Sequence, residues 1–213
     1  MRTSKKKQPK SNISIAMLMD GETEKWYMQL LKQVENISVD IKPEIPKNKN
    51  IKEQYDKVIE LLSKEYDYVV WMIDLDVVIK HSKDCARGKE TPLEEFIKYH
   101  NQLSKNKQVT IIVNNPCIEY WFLLHYQKTS KYYPQCNSVG VALKSYMLDY
   151  EKSEKYFKKK DNDMYTKLRP NLKSAIANAR QLGDFDIAEP TKAYCEMYKL
   201  FDLPPFSKIL NNL

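Results

Sequence analysis

Three stretches of the chain are apolar and uncharged: Ile13 to Met19, Tyr68 to Ile73 and Val109 to Val113. Each is short and bounded by polar residues, the pattern of a strand buried on both faces. Between them, apolar residues recur at helical spacing. Trp26, Tyr27, Leu30, Leu31 and Val34 mark a helix starting near Thr23. Thr23 can cap it, and Glu24 falls in its first turn, where negative charge suits the helix dipole. Tyr55, Val58, Ile59 and Leu62 mark a second helix over 51–62, and Pro92 opens a third that runs to Leu103. Ile37 to Ile41 alternates apolar and polar residues, as an edge strand does. Pro43, Pro46 and the Lys/Asn run at 47–50 read as loop. Residues 77–90, with Lys80, Lys83, Arg87 and Gly88, read as a mobile loop over the sheet edge. The order strand, helix, strand, helix, strand, helix, strand predicts an α/β fold with a mostly parallel four-stranded sheet flanked by helices. Beyond Asn114 the chain turns helical, over Cys117 to Tyr126, Val139 to Tyr150, Leu168 to Gln181 and Pro190 to Leu203. This divides the chain into a flexible basic tail (1–11), an α/β core (12–126) and a helical annex packed on that core (127–213).

The chemistry gathers where the strands end. The first runs into Asp20-Gly21-Glu22-Thr23-Glu24 and the second into Asp74-Leu75-Asp76. Parallel strands present their C-terminal ends at one edge, where open α/β sheets bind ligands. Up to five carboxylates would converge there, a costly cluster unless a cation sits in it. Asp20 and Glu24 are four apart across a strand-to-helix turn, which Gly21 permits to be sharp. Asp74 and Asp76 lie on the same side of an extended segment. Hard oxygen ligands of this kind suit Mg²⁺ or Mn²⁺. Two such ions about 4 Å apart can activate water and stabilise the leaving oxygen of phosphodiester cleavage. A lone Asp-x-Asp also marks glycosyltransferases and surface loops. The run Asp74 to Val78 also resembles the aspartyl-phosphate phosphatase motif, which belongs on a chain's first strand, where this sequence has Asp20. Taken alone, each cluster is equally a solvated turn. Two clusters, each following an apolar strand, favour metal.

The third strand ends at Asn114 and Asn115, and Pro116 can start the next helix. Glu119, in its first turn, is a candidate metal ligand, general base or dipole partner. His125, two turns on, is either an acid/base group or a satisfied core histidine. The formal net charge of +7 permits a polyanionic partner, and equally fits a chain rich in Lys and Asn. Lys152, Lys155, Lys158, Lys159 and Lys160 crowd around Tyr150, Tyr156 and Phe157, followed by Lys167, Arg169 and Lys173. Lysines neutralise phosphates and aromatics stack on bases, so this is the candidate nucleic-acid surface, the alternative being a solvated helix end. Cys85, Cys117, Cys136 and Cys195 form no Cys-x-x-Cys pair and read as free thiols in a reducing cytosol, not as a disulfide frame or a zinc site. With no signal peptide and no long apolar segment, the expectation is a cytoplasmic protein without a membrane partner.

Three segments together resemble the RloB-like family: Asp20 to Glu24, Asp74-Leu75-Asp76, and Asn115-Pro116-Cys117-Ile118-Glu119-Tyr120-Trp121-Phe122-Leu123-Leu124-His125. Ala175 to Ala179 and Glu189-Pro190-Thr191 extend the resemblance over nearly the whole chain, and the Asn-Pro segment is its most specific part. The resemblance implies a TOPRIM-type fold, the metal-binding core shared by topoisomerases, primases and overcoming-lysogenization-defect nucleases. In those nucleases the first strand ends in glutamate, glycine, any residue, threonine, glutamate. Asp20 and Glu24 match its two acids, and Asp74 and Asp76 match the later acidic pair. Asp20 is one methylene shorter than the usual glutamate, so a bridging water or Glu22 would complete the ligand set. The family is similar to components of phage-defence operons, including abortive-infection systems, encoded beside an ABC-type ATPase that licenses the TOPRIM partner. The resemblance thus implies a Mg²⁺- or Mn²⁺-dependent nuclease acting on RNA such as tRNA, or on DNA, under the control of a partner ATPase. Asp20, Glu22, Glu24, Asp74 and Asp76 would surround the metal, with Glu119 and His125 as further catalytic candidates. Two other classes stay open: a non-catalytic subunit that docks on and regulates an ATPase, and a nucleotidyl- or glycosyltransferase using the same carboxylates. Substrate, trigger, number of metals and oligomeric state stay open as well.

Overall fold

The computed structural model describes residues 12–46 and 50–212, so the expected basic tail (1–11) and loop residues 47–49 lie outside the described residues. The three apolar runs form the centre of the sheet as β1 (Ile13–Leu18), β3 (Tyr68–Asp74) and β4 (Val109–Asn115). β2 (Val39–Glu44) and β5 (Tyr194–Cys195) flank them in the order β2-β1-β3-β4-β5. The first four strands are parallel, and β5 runs antiparallel to β4. The sheet therefore has five strands, not four.

Period-two alternation assigns the side chains to two cores. Ala16, Leu18, Val69, Trp71 and Ile73 face α2 (Ile51–Leu62), α3 (Leu75–Lys83) and α4 (Pro92–Leu103). Ile15, Met17, Val70, Met72 and Ile112 face α1 (Glu22–Val34), α5 (Ile118–Leu124) and the C-terminal helices. Each core holds a buried tryptophan whose indole N–H is paired. The Trp71 indole N–H donates to Gln54 Oε1 at 2.9 Å, and that of Trp121 to the Tyr27 hydroxyl at 2.9 Å, the latter fixing α5 against α1. α2 is capped by Asn50, and α4 by a reciprocal Thr91–Glu94 capping box behind Pro92.

Several elements depart from the sequence reading. Residues 77–90 are not all loop, because α3 follows β3 without a gap and buries Leu75, Val78 and Ile79. Thr23 does not cap α1; Gly21 is the N-cap and helix begins at Glu22. Gly21 has φ −165, extended backbone open to any residue, so the turn does not need its conformational freedom. β2 continues through Pro43, which an edge strand tolerates because the missing N–H faces away from the sheet while the Glu44 carbonyl accepts from Met19 N–H. Further on come α6 (Cys136–Leu143), α7 (Glu154–Phe157), α8 (Met164–Leu168) and α9 (Leu172–Gln181), with a 3₁₀ turn at Arg169–Asn171 where Pro170 interrupts the expected 168–181 helix. The expected 190–203 helix is instead β5 and a 3₁₀ helix (Glu196–Asp202), followed by α10 (Pro204–Ser207). Beyond short β5, the buried Glu196 carboxylate takes over the edge of β4. It accepts from Val113 N–H at 3.0 Å and Phe185 N–H at 2.8 Å, and pairs with Lys199 at 2.7 Å. The C-terminal segment thus completes the sheet as well as covering it. Among the described residues no helix is long and apolar enough to cross a membrane.

Candidate metal centre

β1 and β3 are neighbours, so their C-terminal ends meet. Asp20 follows β1, Glu24 sits in the first turn of α1, Asp74 is the last residue of β3, and Asp76 is in the first turn of α3. These four line one cavity of about 390 Å³ together with Glu22 and Lys152. Asp20 (8% exposed), Glu24 (3%) and Asp74 (6%) are buried, whereas Glu22 is on the rim and pairs with Lys25 at 3.1 Å.

Asp74 and Asp76 are brought together, though not by strand alternation, since the strand stops at Asp74 and Asp76 is helical. Asp74 Oδ1 accepts from the Asn114 amide at 3.4 Å, across the register that pairs the two residues. Asp76 is fixed at both oxygens: Oδ1 accepts from Val77 N–H at 2.7 Å, Oδ2 from Cys136 N–H at 3.1 Å.

The electrostatics follow from crowding. Burial, then the charges of Glu24, Asp20, Glu119 and Asp76, holds the Asp74 carboxyl well above its usual range. Burial and the charge of Asp20 push Glu24 up to about 7, opposed by a backbone hydrogen bond and by Lys152. Lys152 lies between this cavity and Glu119. Burial favours its neutral form, but the charge and hydrogen bond of Glu119, with the charges of Asp74 and Glu24, together outweigh that and raise its pKa.

Glu119, 1% exposed, is set back from the cavity. Its Oε1 accepts from Lys152 Nζ at 2.7 Å and from the Tyr150 hydroxyl at 3.3 Å, while Oε2 lies 2.9 Å from Cys136 Sγ. His125 is not brought to the cavity. Its ring packs on Trp121, Nδ1–H donates to the Trp121 carbonyl at 2.9 Å, and burial lowers its pKa to about 4, so it is a neutral core histidine.

The expected four free thiols are corrected by the fold. Cys117, N-cap of α5, and Cys136, first residue of α6, form a disulfide in the cavity wall, leaving Cys85 and Cys195 free. They are 19 residues apart with no Cys-x-x-Cys signature, and only the packing of α6 on α5 brings them together.

The basic candidates divide. Lys152 belongs to the acidic cavity, which its place in a lysine run hid. Lys158, Lys159 and Lys160 line a separate groove of about 680 Å³ against α1, with Asp161 and Asp163 among its walls, and Lys158 pairs with Glu154 at 2.7 Å. Lys155 is exposed. Lys167 lays its ammonium 4.1 Å from the Tyr156 ring centroid, and Arg169 is held by Glu35 at 2.6 Å, the carboxylate that also accepts from Tyr165 at 2.8 Å. Those two cations are committed to packing.

Fold and site together define an α/β protein with a carboxylate-lined cavity at the carboxyl edge of a mostly parallel sheet. The model of the family described as RloB-like protein matches residues 15–203, and the chain belongs to the RloB-like family. The matched span contains every acid of the cavity. No curated protein and no solved structure matches the chain.

Proposed function

We propose that this chain is a metal-dependent nuclease on a TOPRIM-type core, cleaving phosphodiester bonds in RNA such as tRNA, or in DNA. The observation that carries this reading is the convergence of Asp20, Glu24, Asp74 and Asp76 on one cavity, with three of the four buried. The donor chemistry fits a hard divalent cation: carboxylate oxygens, those of Asp74 and Glu24 raised in pKa by burial and then by mutual repulsion, which a positive charge would offset. Bound Mg²⁺ or Mn²⁺ supplies Lewis-acid activation of water and stabilisation of the leaving oxygen. The four carboxylates would hold the ion, and the Val77 and Cys136 amides pre-set the Asp76 oxygens. Lys152, kept charged by Glu119, offers a cation to a substrate phosphate at the cavity wall. Glu119 then acts as a positioning residue for Lys152. The groove bearing Lys158 to Lys160 tracks the nucleic-acid backbone. The role of effector in anti-phage abortive infection, under the control of an ABC-type ATPase, rests on the resemblance of the family to defence components.

The test is cleavage of mixed tRNA and plasmid DNA by the purified chain, with Mg²⁺, Mn²⁺ or chelator, with and without a co-encoded ATPase. Metal-dependent cutting is expected to vanish in the Asp74→Ala/Asp76→Ala variant, with its fold checked by circular dichroism. Equal cutting by that variant overturns the assignment. A stable ATPase complex with no cutting in any arm points instead to a regulatory subunit.

A further inference from the structure

The cavity wall contains a cluster of different chemistry from the carboxylates. Cys117 Sγ, Cys136 Sγ and a Glu119 oxygen all lie within 4.8 Å of one another. Glu119 Oε1 is taken by Lys152 and Tyr150, so Oε2 is the oxygen left facing the sulfurs, 2.9 Å from Cys136 Sγ. In the disulfide neither sulfur carries a proton. A carboxylate oxygen of a residue 1% exposed therefore points at an atom with nothing to donate. Reduction turns both sulfurs into soft donors that converge with this oxygen, an S, S, O ligand set for one positive centre.

We infer that, once the disulfide is reduced, Cys117, Cys136 and Glu119 Oε2 form a second cation site, selective for a thiophilic divalent ion such as Zn²⁺, beside the hard-cation cavity. Two thiolates and one carboxylate are three negative ligands, balanced by the divalent ion and the Lys152 ammonium. Water takes the fourth tetrahedral position. Zinc–sulfur bonds of about 2.3 Å set the sulfurs ~3.8 Å apart. The Cα separation of 5.7 Å leaves room for that by side-chain rotation. Thiolate softness separates this site from the carboxylates across the same cavity, which suit Mg²⁺ or Mn²⁺. Switching is a balanced exchange. A dithiol reductant gives two electrons and two protons to the Cys117–Cys136 bond and becomes a cyclic disulfide. The two thiols then release two protons to solvent as the ion binds. The Cys136 N–H on Asp76 couples the two sites, so occupancy of the thiolate site also sets how firmly α6 orients Asp76.

The experiment is Co²⁺ titration of the full chain, read at the sulfur-to-cobalt charge-transfer band in the near ultraviolet, with Zn²⁺ as displacing ion. Thiol counting would confirm the redox state and circular dichroism the fold of each variant. The reduced chain is expected to develop the band to saturation at one cobalt per chain and to lose it on adding Zn²⁺. The oxidised chain and Cys117→Ser/Cys136→Ser should show none. Asp74→Asn should leave the band in place, so this site stands or falls separately from the nuclease reading. Absence of the band in the reduced chain with both thiols counted free overturns the inference. So does its persistence in the double serine variant, which would move it to Cys85 or Cys195, or its loss in Asp74→Asn.

Discussion

Glu24→Gln, made in cation-free protein, should raise stability at neutral pH, although it alters a residue of the candidate site. Glu24 is 3% exposed, and burial together with the Asp20 charge raises its pKa from the usual 4.5 to about 7. Between those values the folded chain holds a proton that the unfolded chain releases. The native state binds more protons there, so stability falls as pH rises through the window and is lowest above about 7. At about 1.4 kcal/mol per pH unit the loss is ~3 kcal/mol. Glutamine keeps the shape and cannot ionise, so the variant should match wild type near pH 4.5 and exceed it by up to ~3 kcal/mol at pH 8. For a chain of this length that is a rise of ~6–12 °C in Tm. Part of the wild-type slope stays in the variant, because burial and the neighbouring carboxylates also hold the Asp74 carboxyl well above its usual range. Urea melts in chelator from pH 4.5 to 8 measure the effect, and Mn²⁺ should flatten the wild-type curve. Parallel pH profiles for wild type and variant would refute the reasoning.

Four further outcomes follow from named contacts. Lys152→Met leaves Glu119 buried beside Tyr150 without its cation; since Lys152 is half exposed, the cost is discounted to ~1–2 kcal/mol. Adding Glu119→Gln should recover most of that loss in urea melts, and no recovery would show that the ion pair is not the cause. Gln54→Leu strands the buried Trp71 N–H and should cost ~1–3 kcal/mol by thermal denaturation. An unchanged Tm would contradict that hydrogen bond. Replacing Lys158, Lys159 and Lys160 by Gln should weaken nucleic-acid binding and reduce its salt slope by ~2–3, read by fluorescence anisotropy against ionic strength. Arg169→Ala, which releases Glu35, should instead lower stability by ~1 kcal/mol with the slope unchanged.

The sheet was legible wherever burial on both faces leaves a continuous apolar run, as in Ile13 to Met19, Tyr68 to Ile73 and Val109 to Val113. The acids at two of those strand ends were legible for the same reason, since a charge directly after such a run must sit at the sheet edge. What stayed hidden is long-range or too short for periodicity. β5 is two residues long, and Tyr194, Met197, Tyr198 and Phe201 have a spacing that serves a helix as well as the 3₁₀ segment that forms. α3 had a signal in Leu75, Val78 and Ile79, which the surrounding lysines and acids masked. The disulfide partners and the Glu35–Arg169 pair are joined by packing across 19 and 134 residues, which no local pattern encodes. Lys152 looked like its neighbours and differs only because Glu119 lies within 2.7 Å of it.

The most direct measurement is Mn²⁺ binding and nucleic-acid cleavage followed on the same samples, for wild type and for Asp74→Asn/Asp76→Asn. The expected result is Mn²⁺ binding and metal-dependent cutting by wild type, both lost together in the variant while its fold is kept. Unchanged Mn²⁺ binding, or unchanged cutting, in the variant would contradict the assignment of this cavity as the metal centre of a nuclease.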